Sequence, residues 1–339
     1  MNDPIDTAPL LEIDGLTVHF HAGREVVRAV NGVDLRVRAG ETSAILGESG
    51  SGKSVTMAAV MRLLQTPPAS VSAKVLRFNG EDVLDLPLEQ WRARCGRDLG
   101  MVFQDALASL NPVFSVGWQV AEMFRVHGVA TGREADDRAV ELLERVGIAD
   151  ATRRARDYPH QFSGGMRQRV MIAMAVALDP KLLIADEPTT ALDVTVQAQI
   201  MELLNRLQDA QGMAIALITH DLGVVAEAAD HVAVMYAGRV VESGTVAEVL
   251  GSPNHPYTLA LLESIPQARS ATLSPIAGSP PDMAALPPGC AFAPRCRLAQ
   301  ARCVADAPVM RAVNDSGHRA ECHFVGASLT DEMNREAGQ

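Results

Sequence analysis

Gly47–Ser54 reads "GESGSGKS"; it follows the short apolar run "TSAIL" (Thr42–Leu46) and leads into "KSVTMAAVMRLL" (Lys53–Leu64). The stretch fits the pattern Gly-x4-Gly-Lys-Ser/Thr, and its flanks predict a strand before the loop and a helix after it. In such a loop the backbone amides turn inward. The start of the following helix adds positive potential, so amides and dipole together hold phosphate. Gly47, Glu48, Ser49, Gly50, Ser51, Gly52, Lys53 and Ser54 are therefore candidate phosphate contacts. Lys53 would reach the β- and γ-phosphates, and the Ser54 hydroxyl would ligate Mg2+. A flexible glycine loop without a ligand is the alternative, and it leaves the matching flanks unexplained.

A second apolar strand, "KLLIAD", ends on Asp186, with Glu187 directly after it. A carboxylate at such a strand end can enter the Mg2+ coordination shell. A second one beside it can orient water and accept its proton. A third run, "MAIALIT" (Met213–Thr219), ends just before His220. In an open α/β sheet, ligands sit beyond the carboxyl ends of the strands. Asp186, Glu187 and His220 thus belong to one candidate site with the loop, although a lone strand-end histidine is more often structural.

The rest of the chain fits this α/β reading. "LLEIDGLTVHF" (Leu10–Phe20) and "VRAVNGVDLRV" (Val27–Val37) alternate like strands. Phe114–Val146 reads as helical, and "VQAQIMELLNRLQ" as a further helix. "HVAVMYAGRVVESG" predicts a hairpin turned at Ala237-Gly238. "SPIAGSPPDMAALPPG" (Ser274–Gly289) reads as a linker or irregular segment. The 339 residues are 47% hydrophobic with net charge −11, enough for a sizeable core and a poor match to phosphate-backbone binding by nucleic-acid proteins. The first residues, "MNDPIDTAPLLEIDG", carry no secretion-signal pattern. The longest apolar run, "VMIAMAVAL" (Val170–Leu178), is far short of the about 20 residues of a membrane span. A cytosolic protein is the expectation.

"FSGGMRQRVMIAMAVALDPKLLIADEPTTALD" (Phe162–Asp193) resembles the stretch of ATP-binding-cassette (ABC) ATPases from the signature, usually LSGGQ, to the second strand. Here Phe162 replaces leucine and Met166 replaces glutamine. The resemblance implies a P-loop cassette with a mixed sheet, an antiparallel β subdomain and a helical subdomain at about 105–178. It also implies ATP and Mg2+ as cofactors, and signature residues Ser163, Gly164, Gly165 and Met166 that contact ATP held by a second cassette. Ahead of a helix, those small residues are themselves a phosphate-binding helix start. Gln104 in "MVFQD" matches the Q-loop that senses Mg2+ and γ-phosphate, Asp193 the D-loop, and His220 the switch histidine. Phe20 lies where the family stacks an aromatic on adenine, with His19, His21 and Arg28 as alternatives. Glu187, His220 and Gln104 would be catalytic; Ser54, Gln104 and Asp186 would hold Mg2+.

Within that family, "FQDALASLNPVFSVGWQV" (Phe103–Val120), "YPHQFSGGMRQRVMIAMA" (Tyr158–Ala175) and "NHPYT" (Asn254–Thr258) are similar to the ATP-binding subunits of dipeptide and oligopeptide importers. Nickel, opine and glutathione importers share the branch. The organisation implied is a cassette at 8–252, a C-terminal extension at 253–325 and a flexible tail at 326–339. The implied partners are a second, paralogous cassette subunit, two transmembrane permeases and an extracytoplasmic binding protein, with no nucleic acid, at the cytoplasmic face of the membrane. A cassette working on nucleic acid or the ribosome, or one that binds ATP without hydrolysing it, fits less well. The chain has one phosphate loop and no basic stripe, and it keeps Glu187 and His220.

Four of the five cysteines, Cys290, Cys296, Cys303 and Cys322, fall in the last fifty residues at spacings C-x5-C, C-x6-C and C-x18-C. Disulfides disagree with a cytosolic setting. A structural zinc site usually shows C-x2–4-C knuckles, absent here. Four thiolates could wrap a four-iron cluster, and the resemblance implies a [4Fe-4S] cluster in this segment in some members. Cluster, zinc and free buried thiols remain open, with the phosphate loop expected to lie in a separately packed domain.

Overall fold

A computed structural model describes residues 8–264 and 276–326. The expected tail from 327 onward lies outside the described residues. They separate into two compact units, and both are discontinuous in sequence.

The first unit carries three parallel strands, Leu99–Val102, Leu182–Asp186 and Ala214–Thr219. They pair in register, Leu99 beside Leu182 and Leu182 beside Ala214. Every residue of Leu182–Asp186 and Ala214–Thr219 is buried. That is why both read as unbroken apolar runs rather than alternating ones. The expected helical stretch resolves into Val116–Val126 and Gly132–Arg145, broken at Gly128 by a left-handed turn. The apolar run Val170–Leu178 lies largely within a helix that starts earlier, at Gly164, and ends at Val176. Among the described residues no helix is long and apolar enough to cross a membrane.

The second unit carries the antiparallel strands. Leu11–Ala22 pairs with Ala69–Ser72 and Val75–Phe78, and neighbours Glu25–Val37. Its half-buried alternation is the pattern of a sheet covered on one face. The hairpin His231–Tyr236 and Arg239–Thr245 turns at Ala237 and Gly238, at φ 48° and 76°. Positive φ at both central residues suits the right-handed strand twist. His231–Tyr236 also runs parallel to Thr42–Leu46, the strand that feeds the phosphate loop. The helix after that loop is shorter than its sequence suggests and stops at Val60.

The C-terminal region is held by polar bonds more than by regular structure. No helix or strand occurs at 276–289, yet Met283 O accepts from the Arg28 N–H. Fully buried Glu242 accepts from the backbone amides of Asn254 and His255, at 2.6 and 3.0 Å, and lies 2.8 Å from His318 Nε2. One carboxylate thus satisfies three donors from two separate segments of the C-terminal region. His255 is also buried, and burial pushes its pKa down to about 3, so it is neutral. Its Nδ1 accepts from the Tyr257 amide and caps the helix Pro256–Glu263. Removing the Glu242 acceptor strands buried donors. Glu242→Ala should cost about 3 kcal/mol or more, the scale of breaking a buried charged network. Thermal or urea unfolding checks this; a loss under about 0.5 kcal/mol, a typical surface effect, would remove Glu242 from its structural role.

Candidate functional site

The second unit contains the phosphate loop. Gly47 and Gly52 are required by close backbone approach. A Cβ at Gly47 would lie 2.2 Å from Met235 O, and one at Gly52 2.4 Å from Ala29 O. Gly52 also caps the following helix at φ 100°, a conformation other residues rarely adopt. Lys53 is 5% exposed, and its ammonium donates to Gly47 O and Glu48 O, at 2.8 and 2.9 Å. The Ser51 hydroxyl is buried with no hydrogen-bond partner among the described residues. A buried cation and an orphaned hydroxyl beside a helix start fit an incoming phosphate. Ser49, Gly50 and Ser54 complete the loop, and Ser54 sits in the first turn of the helix.

The first unit holds Asp186, Glu187 and Gln104. Asp186 ends its strand and is 6% exposed. Glu187 adopts φ 46°, sparsely populated for a residue with a side chain. Its amide donates to Ile218 O at 2.9 Å, which pins it to the neighbouring strand. Its carboxylate accepts from Gln104 Nε2 at 3.0 Å and from the Thr190 hydroxyl at 2.8 Å. The strained backbone and two donors aim the carboxylate in one direction. Gln104 and Glu187, 83 positions apart, are thereby brought together. Thr190 was not anticipated; it hides in "DEPTT" as a residue three positions after the carboxylate.

In the same unit, Ser163 caps the helix Gly164–Val176 by accepting from the Met166 amide. A Cβ on Gly165 would lie 2.7 Å from Val196 Cγ1, so that glycine lets the helix pack against Val194–Gln211. Asp193 caps the latter helix through Val196 N–H. Ser163, Gly164 and Asp193 are all exposed. Phe162 replaces the family's leucine as a core residue, 3% exposed, with the Arg154 guanidinium 5.7 Å over its ring. His220, in the second unit, follows its strand directly and is exposed. Phe20 is half-buried on Leu11–Ala22, opposite Ala69. Its neighbour His19 has Nε2 buried without a partner among the described residues, and burial together with Arg28 lowers its pKa.

All five cysteines are free thiols. Cys290, Cys296, Cys303 and Cys322 line one apolar cavity with His255, Phe292 and Phe324. Burial raises the pKa of the Cys290, Cys296 and Cys322 thiols, with neighbouring cysteines adding to it: Cys296 to about 12 and Cys322 to about 11. Cys95 lies apart, at the end of the helix Leu88–Arg94. Among the described residues no group of three or more His, Cys, Asp or Glu side chains is arranged to hold a metal ion. Neither the iron–sulfur nor the zinc expectation gains support from that arrangement.

The expectation that the phosphate loop packs apart from the cysteine segment is overturned. Arg295, beside Cys296, donates two hydrogen bonds to the Glu48 carboxylate, at 2.6 and 3.0 Å. The Tyr257 hydroxyl accepts from the Glu48 amide at 2.9 Å. Neither contact was visible in sequence. Tyr257 lies inside "NHPYT", which carried only the resemblance to peptide importers, and Arg295 inside the cysteine spacing.

Residues 30–190 match the family model for the ABC transporter, and residues 241–303 match the oligopeptide/dipeptide transporter C-terminal region. A Brucella abortus protein described as a peptide import ATP-binding protein is 50% identical over 327 residues, covering 93% of this chain and 96% of its own. A Brucella melitensis protein of the same description is 49% identical over 312 residues, covering 91% of this chain and 94% of its own. Among solved structures, a dimeric post-hydrolysis ATP-binding cassette bound to ADP and phosphate is similar at 28% identity and TM-score 0.61, covering 70% of this chain and 98% of that one. A cassette of an ABC transporter complex from Clostridium perfringens is similar at 30% identity and TM-score 0.59, covering 72% and 91%. With a buried-lysine phosphate loop, a strand-end Asp-Glu pair and half its residues shared with full-length relatives, the chain belongs to the ABC transporter ATPases.

Proposed function

We propose that this chain is the ATP-hydrolysing subunit that drives import of di- or oligopeptides through a membrane permease pair. The observation that carries the reading is the phosphate loop with its buried Lys53 and orphaned Ser51 hydroxyl, joined in one chain to the region typical of oligopeptide/dipeptide transporters. Backbone amides of Gly47–Ser54 and Lys53 bind the phosphates, and Ser54, Asp186 and Gln104 hold Mg2+. Glu187, oriented by Gln104 and Thr190, takes the proton of the attacking water, and His220 hydrogen-bonds the γ-phosphate. Phe20 stacks on the base. Ser163, Gly164, Gly165 and Met166 contact the ATP of a second cassette, and Asp193 crosses to it. The dimeric nature of the similar cassette bound to ADP and phosphate supports this sharing. The proposed division is a cassette at 8–252 and an extension at 253–325; the family matches, at 30–190 and 241–303, have their own bounds.

Permeases dock beside Gln104. The exposed apolar side chains Phe103, Leu107, Phe114 and Trp118 support this, with Phe114 and Trp118 stacked at 4.2 Å. Docking there places the chain on the cytoplasmic face of the membrane, with an extracytoplasmic binding protein supplying cargo. Nickel, opine or glutathione is the alternative cargo. Glu187→Gln should leave ATP binding intact and slow hydrolysis by about 10²-fold or more, the scale of losing a general base. Wild-type turnover by that variant in the assembled transporter would exclude Glu187 as the base.

We propose a [4Fe-4S] cluster for the four-cysteine segment, with zinc as the alternative. The observation behind it is that all four cysteines line one apolar cavity. One zinc ion would need all four sulfurs about 2.3 Å from a single point, whereas a cluster spreads its ligands over the corners of a cube. Neutral thiols in an apolar setting become thiolates once a positive group displaces their protons. Anaerobically purified protein should contain about four iron and four sulfide per chain. Serine at any one of the four positions should lower the iron content, and Cys95→Ser should not. Colourless protein with one tightly held zinc would assign the cavity to zinc, and metal-free protein with titratable thiols would exclude both.

A further inference from the structure

The Glu48–Arg295 contact joins residues 247 positions apart. The Arg295 side chain is 4% exposed, and its donors are committed. Nη1 and Nη2 go to the Glu48 carboxylate, and Nε donates to Ala277 O at 2.9 Å. Its guanidinium lies 5.8 Å over the Tyr236 ring and 6.0 Å over the Phe292 ring. A fork fixed on three sides is a rigid support, and its two-point grip sets orientation as well as distance. Tyr257, fully buried, holds the backbone of the same residue through its hydroxyl. Glu48 in turn offers its carbonyl to Lys53 Nζ. A line of contacts therefore runs from the cysteine segment, through Glu48, to the ammonium that faces phosphate.

We propose that Arg295 and Tyr257 are positioning residues of the nucleotide site: they hold the phosphate loop through Glu48, so the packing of the cysteine-bearing segment sets the affinity for MgATP. This rests on the reading of Gly47–Ser54 as the ATP site. Neither residue touches nucleotide. Glu48 needs its tether because an unheld loop must be ordered when ATP arrives, and that ordering is subtracted from binding. Cys296 adjoins Arg295 in the chain, so any change that moves Cys296 moves the grip on the loop. By linkage, bound nucleotide stabilises the segment to the same degree.

The test is MgATP binding by calorimetry to the full-length chain. Arg295→Gln alone leaves the Glu48 charge unpaired near the phosphates, and so mixes repulsion with lost geometry. The double variant Arg295→Gln/Glu48→Gln removes both charges together, leaves no buried uncompensated ion, and reads the tether alone. It should bind MgATP about five- to tenfold more weakly, within the usual range of intersite coupling, and Arg295→Lys should fall between it and wild type. Wild-type affinity in the double variant, alongside lost binding in Lys53→Ala, overturns the proposal and leaves the ATP site standing. Unchanged binding in Lys53→Ala overturns the site assignment itself. If the double variant melts below the assay temperature, Tyr257→Phe tests the same tether by deleting only the oxygen bonded to the Glu48 amide. A measurable weakening is expected, and unchanged affinity overturns the proposal.

Discussion

The backbone of the phosphate loop runs in contact with two other backbones, at Met235 and Ala29, and there is no room at Gly47 or Gly52 for a single added carbon. That constraint organises the second unit. The loop closes only against the hairpin strand His231–Tyr236, whose turn is itself bonded to the loop by Gly238 N–H to Ser51 O. The hairpin carries Glu242, which holds Asn254 and His255. His255 caps the helix that presents Tyr257 back to the loop. A circuit of short polar bonds thus starts and ends at one phosphate-binding turn. Most of its links are buried, where a hydrogen bond is strong and an unmade one is expensive.

The carboxylate proposed as the catalytic base obeys a similar logic by different means. Glu187 takes a backbone conformation that a side chain disfavours, and three contacts hold it there: the strand bond to Ile218 O, the Gln104 amide and the Thr190 hydroxyl. Strain of this kind persists where surrounding structure over-determines it. The gain is a carboxylate aimed before substrate arrives, which spares reorganisation during the chemical step. Gln104 reaches it from the segment with exposed Phe103 and Leu107, so a partner that moves this segment also moves the donor on Glu187.

Much of this was legible in the sequence because the determining interactions are local. The glycine spacing of the phosphate loop, the apolar runs ending at Asp186 and Thr219, and the Ala237-Gly238 turn each follow from a few consecutive residues. The helix after the loop was overread because "MRLL" continues its apolar pattern, while Arg62 turns to φ 53° and ends it. The contacts that bind the C-terminal region to the loop were not legible. Glu48 to Arg295 and Glu242 to His318 are single polar pairs 247 and 76 positions apart, and no periodicity announces such a pair. The same lack of local signal explains why Pro-rich 276–289 read as a linker although Arg28 and Arg295 bond to it.

The account depends on the loop at Gly47–Ser54 binding ATP whose hydrolysis is spent on peptide import. The direct measurement is ATP hydrolysis by the assembled transporter, purified with its permeases and second cassette, with and without peptide-loaded binding protein. Wild-type chain should give hydrolysis that peptide stimulates, and Lys53→Ala chain should lose the stimulation while the complex stays assembled. Equal peptide-stimulated hydrolysis with Lys53→Ala would contradict it.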